Sequence, residues 1–323
     1  MKQYIVTLFL LNTLAWAMPT LQPIDTLEIN GTAKDMVLVN NNLVVATDMG
    51  HIEIFNTQNN QKVKEISIPN VTDFMGDEIP ARVMSTDSLQ NQYLLLSDSG
   101  KGGYSNLYIY QDNNLTQILS SKDKKAIIKA RFIDNNHILF GFLSNEVALF
   151  DIKDKKELYR VQLSESKFSD FALNEDKTEV VFSCESGVLN LVNIQSGKVI
   201  KELKGQNVDN VYKVAFKKGT ISGAGQDQRG SIYNAKSGKG EYIKGTFLIY
   251  ATALSPSASK VIFSMDEKNN LWVYNTMTKS NIALLQGQKS TLNSIIFKDE
   301  NIIYSASDDN SIMIWNLNQK ETK

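Results

Sequence analysis

The 323-residue sequence predicts an all-β protein folded as a seven-bladed β-propeller, a ring of four-stranded blades. Three observations carry that prediction. First, a short run of alternating apolar side chains ends in an aromatic or apolar residue, usually followed by Asn, Asp or Gln. It recurs seven times, at 52–56, 107–111, 147–151, 189–193, 230–234, 271–275 and 312–316. Second, the penultimate residues of these runs, at 55, 110, 150, 192, 233, 274 and 315, are separated by 55, 40, 42, 41, 41 and 41 positions. Third, each unit reads as short β runs between turn residues, whereas helical repeats of similar length would show a period of 3.6.

Composition bounds the function. With 42% hydrophobic and 21% charged residues the chain can build an ample core, which excludes a disordered or multi-span membrane protein. Lys and Arg number 34 against 35 Asp and Glu, so no global basic field exists to gather nucleic acid or an anionic membrane surface. One Cys and two His remove disulfide frameworks and zinc sites built from clustered ligands. Cys184 lies in the apolar run 180–184 and is expected as a small buried hydrophobe. No catalytic residue, cofactor or metal ligand is assigned. His51 and His137 stand in separate units without a hydrolase signature, and Gly100-Lys101-Gly102-Gly103 lacks the strand-to-helix context of a phosphate loop. The expected class is therefore a non-enzymatic binding protein. A central metal held by Asp, Glu and Asn would instead make a metal-dependent propeller hydrolase or lactonase, the alternative from another class.

Along the chain, residues 1–17 read as a cleaved export signal. Lys2 precedes a mostly apolar run from Tyr4 that ends in Ala15-Trp16-Ala17, with small residues where a signal peptidase reads. The run is shorter than the ~20 residues of a spanning helix. A periplasmic protein with no stable membrane insertion after cleavage is expected, with residues 18–323 forming the propeller domain. Next comes a strand-like segment without a unit of its own, residues 24–29. The last unit ends one strand short, since only residues 317–323 follow it. Residues 24–29 are therefore expected to pair with residues 312–315 and close the ring, burying an edge that would otherwise invite aggregation. In the last unit, strands are expected at 292–297, 301–305 and 312–315, with a tight turn at Asp308-Asp309-Asn310.

The first spacing exceeds the others by 55 − 41 = 14 residues. The surplus falls in segment 69–80, which joins the first unit to the second, and in the turn 99–105. In propeller topology both connections emerge on the same face, and insertions beyond a repeat commonly map to a binding face. Phe74 and Met75 stand there among acids, which suits a partner contact. The partner-binding candidates are Asp73, Phe74, Met75, Asp77, Glu78, Lys101 and Tyr104. Folding back of Phe74 and Met75 to plug the channel mouth fits the sequence equally well. Lys122-Asp123-Lys124-Lys125, with Lys129 and Arg131 after it, reads as a solvated turn, the other reading being a patch that steers an acidic partner.

The units resemble the WD40-repeat family over essentially all of residues 18–323. The last matches best, from Gly287-Gln288 through Ser305-Ala306-Ser307-Asp308-Asp309 to Ile314-Trp315-Asn316, and Gly225-Gln226-Asp227 is a similar turn in the fifth. In that family a His, a Ser or Thr, an Asp and a Trp share a structural hydrogen-bond network. Here Gln288 stands where the His would be and Asn316 where a closing Asp would be, so Gln288, Ser307, Asp309 and Trp315 are structural candidates only. Among WD-repeat proteins, the exported seven-unit layout and the loop 73–80 look most like the periplasmic accessory proteins that accompany periplasmic nitrate reductase. That resemblance implies a protein partner in the nitrate reductase system and a role in maturation or electron supply, without a cofactor of its own. An envelope or outer-membrane assembly scaffold is the alternative within the same class.

Overall fold

The structure is a computed structural model that describes residues 18–319. Seven sheets form seven blades of a propeller, each with four antiparallel strands and one of them extended by a fifth. Blade 1 comprises Ala33–Val39, Asn42–Thr47, His51–Asn56 and Lys62–Ser67. Blades 2 to 5 run from Val83–Leu89 to Asn114–Leu119, Ile127–Phe132 to Lys156–Gln162, Phe168–Leu173 to Val199–Leu203, and Val211–Lys217 to Gly240–Lys244. Blade 6 runs from Thr252–Leu254 to Asn281–Leu285, and blade 7 supplies Leu292–Phe297, Ile302–Ser307 and Ser311–Asn316. The only helical element among the described residues is one 3-10 turn, Ser121–Asp123.

All seven periodic runs lie in the third strand of a blade. The reason is burial: a third strand has neighbours on both edges and packs both faces against adjacent blades, so it keeps a near-continuous apolar run. Outer strands alternate, as in Lys156–Gln162, where every second side chain is exposed. Seven buried clusters follow, one at each junction between successive blades, including the junction of blade 7 with blade 1.

The ring closes where the sequence predicts. Asp25–Glu28 pairs antiparallel with Ser311–Asn316, Leu27 lying opposite Ile312, and becomes the outer strand of blade 7. The Ile24 amide donates to the Ile314 carbonyl at 2.7 Å and the Ile29 amide to the Asn310 carbonyl at 2.9 Å, extending the ladder at both ends. Leu27 and Ile29 are buried between blades 7 and 1. A second clasp is not foreseen in the sequence: Thr20–Leu21 adds to blade 6 as a fifth strand, parallel to Asn281–Leu285, with Leu21 buried between blades 6 and 7. The expected export signal, residues 1–17, lies outside the described residues. Within those residues no helix is long and apolar enough to cross a membrane.

Inner strands share one irregularity. In blades 1, 3, 4, 5 and 7 the register shifts after the first residue of the innermost strand. A bulge re-aims the side chains that follow it, and the next residues, Asp35, Lys129, Asp170, Lys213 and Ser294, line the central channel, a cavity of about 610 Å³. Arg131 grips both carboxylate oxygens of Asp35 at 2.7 and 2.8 Å, and Ser85 Oγ and the Thr86 amide donate to the same carboxylate at 3.0 Å. One carboxylate thus joins blades 1, 2 and 3. Asp87 accepts the Phe132 amide of blade 3, and Asp170 accepts the Val214 amide of blade 5 while Lys129 bonds it at 2.5 Å. Lys129 and Arg131 therefore brace the channel, contrary to their reading as part of a solvated charge run. Long side chains on the bulged inner strand turn inward, where buried carboxylates repay their desolvation.

Candidate protein-docking site

Segment 69–80 is an ordered β-hairpin. Val71–Thr72 pairs with Glu78–Ile79, Val71 opposite Ile79. The tip is held by Asp73, whose Oδ1 accepts the Met75 amide at 2.8 Å and the Asp77 amide at 3.0 Å. The Asp73 amide donates to the Asp77 carbonyl at 3.0 Å. An Asp that caps its own turn in this way fixes a tight reversal, and Gly76, at φ +95°, supplies the left-handed residue it needs. At the root, Val71 is buried with Ile66, Ile68, Ala81 and Tyr108 between blades 1 and 2. Apolar burial thus anchors the base while the tip projects.

Phe74 at the tip is 92% exposed and Met75 71%. Neither folds back to plug the channel. The second insertion meets the first: Gly100, at φ +67°, lies so close to the Thr72 carbonyl that a Cβ there would collide with it. Both insertions therefore occupy one face. Lys101 is exposed and Tyr104 half-buried in this turn, which is closed by the Ser99 amide donating to the Tyr104 carbonyl and the Tyr104 amide to the Lys101 carbonyl, both at 3.0 Å. Asp77 and Glu78 are exposed beside Phe74 and Met75.

Beside the hairpin is a hollow of about 300 Å³ lined by Lys34, Asp48, Met49, Ile79, Pro80, Arg82 and Asp98. Met49 is 45% exposed and Ile79 39%. With Phe74 and Met75 they put four apolar side chains on one face, rimmed by charge. Lys34 lies 3.8 Å from Asp48 and 3.7 Å from Asp308, and Arg82 3.9 Å from Asp98. Burial pushes the Asp98 carboxyl up, and Arg82 pulls the other way without overcoming it. Asp98 Oδ1 is buried with no hydrogen-bond partner. Asp48 is held low despite its burial, because the Thr32 hydroxyl and amide and Lys34 favour its charge. Met49, Ile79 and Arg82 are not singled out by the sequence. Their signal is topological: Asp48-Met49-Gly50 turns between the second and third strands of blade 1, the connection that in blade 2 carries the second insertion.

The structural candidates of blade 7 lie apart from this hairpin. The Gln288 amide donates to Ser307 Oγ at 2.6 Å and its carbonyl accepts from Ser305 Oγ at 2.7 Å. Ser305 Oγ in turn accepts the Trp315 indole N–H at 2.8 Å. All four are buried. Gln can replace a His at such a node because its amide donates and accepts at once. Ser305, not Asp309, links this network to Trp315. Asp309 instead accepts the Ser311 amide and hydroxyl, both at 2.9 Å, capping the turn before the third strand.

Among the described residues neither histidine has a serine or cysteine in hydrogen-bond contact. His51 is buried against Met49 and Glu53, and His137 bonds Asp134 at 2.9 Å. Cys184 is buried and contacts Ser186 Oγ at 3.1 Å. No model of a known protein family matches the chain, and no curated protein matches it.

Proposed function

We propose that the protein is a non-enzymatic binding platform of the WD-repeat type that holds a protein partner through the hairpin of blade 1 and the adjoining hollow. The observation that carries this reading is the 92% exposure of Phe74 at the tip of a hairpin whose base is packed into the ring. Exposing a Phe to water is unfavourable by about 2 kcal/mol relative to burying it, and a rigid mount lets a partner recover that energy with little ordering cost. Apolar side chains inside a charged rim match the anatomy of protein interfaces. Asp73, Asp77 and Glu78 suit a partner that offers an apolar pocket with cationic donors around it.

The channel supports a binding role as well. The channel carboxylates of Asp35 and Asp170 are bonded by Arg131 and Lys129, which makes them braces between blades. The client is a component of the periplasmic nitrate reductase system, which the protein assists in maturation or electron supply. Support for this client comes from the resemblance of loop 73–80 and of the exported seven-unit layout to the accessory proteins of that system. The test is copurification with the molybdenum subunit, compared between the native chain and a variant replacing Phe74, Met75, Asp77 and Glu78 together. Retained capture by the fourfold variant would remove the hairpin from the interface, and failure of the native chain to capture the subunit would remove this client.

A further inference from the structure

Blade 1 carries an arrangement that the docking role does not use. His51 and Glu53 point to the same side of the third strand, and Glu65 lies directly opposite Glu53 on the fourth. Two like charges facing each other across a ladder are destabilising, and Glu53 is 0% exposed. A fold that keeps such a pair requires a cation beside it.

The histidine is set as a ligand would be. Its Nδ1 lies 3.1 Å from the Met49 carbonyl, which can only accept, so Nδ1 carries the hydrogen in the neutral ring. Nε2 meets Glu53 Oε1 at 3.2 Å, donating to it when the ring is protonated and offering its lone pair to a metal ion when that proton leaves; the same Oε1 accepts the Asn30 amide at 2.8 Å. Histidines that bind metals commonly hold their other ring N–H on a carbonyl in this way. Glu53 Oε2 is buried without any hydrogen bond. Ligand atoms of His51, Glu53 and Glu65 lie within 4.8 Å of one another.

The cation beside them is the ammonium of Lys62, 3.4 Å from Glu53 Oε2 and 3.1 Å from Glu65 Oε2. It reaches in on a 44% exposed side chain, so its departure opens the site without disturbing the core. We propose that His51 Nε2, Glu53 and Glu65 form a binding site for a divalent transition cation of the zinc class, with Lys62 as its displaceable competitor. One imidazole and two carboxylates suit such an ion, and water completes its coordination. Because Glu53 also accepts the Asn30 amide from the segment after the closing strand, an ion here ties blade 1 to the ring closure.

The experiment is equilibrium dialysis of the purified protein against zinc chloride, with elemental analysis and a thermal scan. One zinc per chain is expected, with a melting temperature that rises with free zinc, as it must when a ligand binds only the folded state. Glu65→Gln, on the exposed side and without effect on the fold, should weaken retention by about tenfold or more. Lys62→Ala should tighten it up to about fivefold by removing the competing charge. His51→Ala should abolish it. The proposal is overturned if neither the native chain nor Lys62→Ala retains zinc, or if His51→Ala and Glu65→Gln retain as much as the native chain.

Discussion

Removing residues 18–30 should cost the ring much of its stability. The deletion takes away the fourth strand of blade 7 and the fifth of blade 6, leaving the outer edges of Ser311–Asn316 and Asn281–Leu285 unpaired. It strips Leu21, Leu27 and Ile29, each at most 5% exposed, from the junctions of blades 6, 7 and 1. At roughly 2 kcal/mol for each buried aliphatic side chain, the loss is about 6 kcal/mol before any ladder hydrogen bond is counted. A domain of this size shifts its melting temperature by roughly 2 °C per kcal/mol, so the transition should fall by about 12 °C. Differential scanning calorimetry at fixed protein concentration reads this directly. Light scattering should rise in parallel, because an unpaired edge recruits other chains. Met277→Ala, at a side chain 87% exposed on the outer turn of blade 6, is the control and should leave the transition in place. A deletion variant melting within about 2 °C of the native chain would refute closure by these strands.

Three further outcomes follow from the same structure. Asp35 would be raised by burial, but the Arg131 guanidinium outweighs that and, with Lys129 and Lys213, holds its carboxyl at about 2. A lowered folded value means the stabilisation is complete above the ordinary 3.8 and is lost as pH falls from there towards 2, a contribution of about 2 kcal/mol. The acid-dependent loss of stability should therefore be smaller by about that amount in Asp35→Asn, and an unchanged profile would exclude the brace; burial raises Asp87, which contributes in the opposite sense in both proteins. Trp315→Phe removes the indole donor from buried Ser305 and should cost about 1–3 kcal/mol in urea denaturation. Gly100→Ala, at a left-handed φ and against the Thr72 carbonyl, should loosen the hairpin from the second insertion and speed amide exchange at residues 71–79 relative to blades 3 to 5.

Much of the fold is legible in the sequence because the third strands are buried on both faces and announce themselves as runs at fixed spacing. Closure by Asp25–Glu28 is legible for a related reason: Leu27 and Ile29 repeat the apolar pattern of an outer strand, and the last unit lacks one. The clasp of Thr20–Leu21 is not, since two residues carry no period and their partners lie at Leu284 and Leu285. The channel brace is equally silent. Asp35 and Arg131 are 96 positions apart, and only the shared bulge of the inner strands turns them towards one another. At the docking face, the surplus length points to the right segments and leaves the direction of Phe74 open. Whether an aromatic in a loop folds inward or outward depends on the turn that carries it, and Asp73 decides this by gathering the amides of Met75 and Asp77. Met49, Ile79 and Arg82 complete the face through topology alone.

The most direct test of the account is the affinity of the purified protein for its proposed client, the purified molybdenum subunit, measured by calorimetry with native and fourfold-substituted chains of equal melting temperature. Two apolar anchors worth at least about 2 kcal/mol each predict a loss of more than roughly a hundredfold when Phe74, Met75, Asp77 and Glu78 are replaced. Equal affinity of the two proteins would contradict docking through the hairpin.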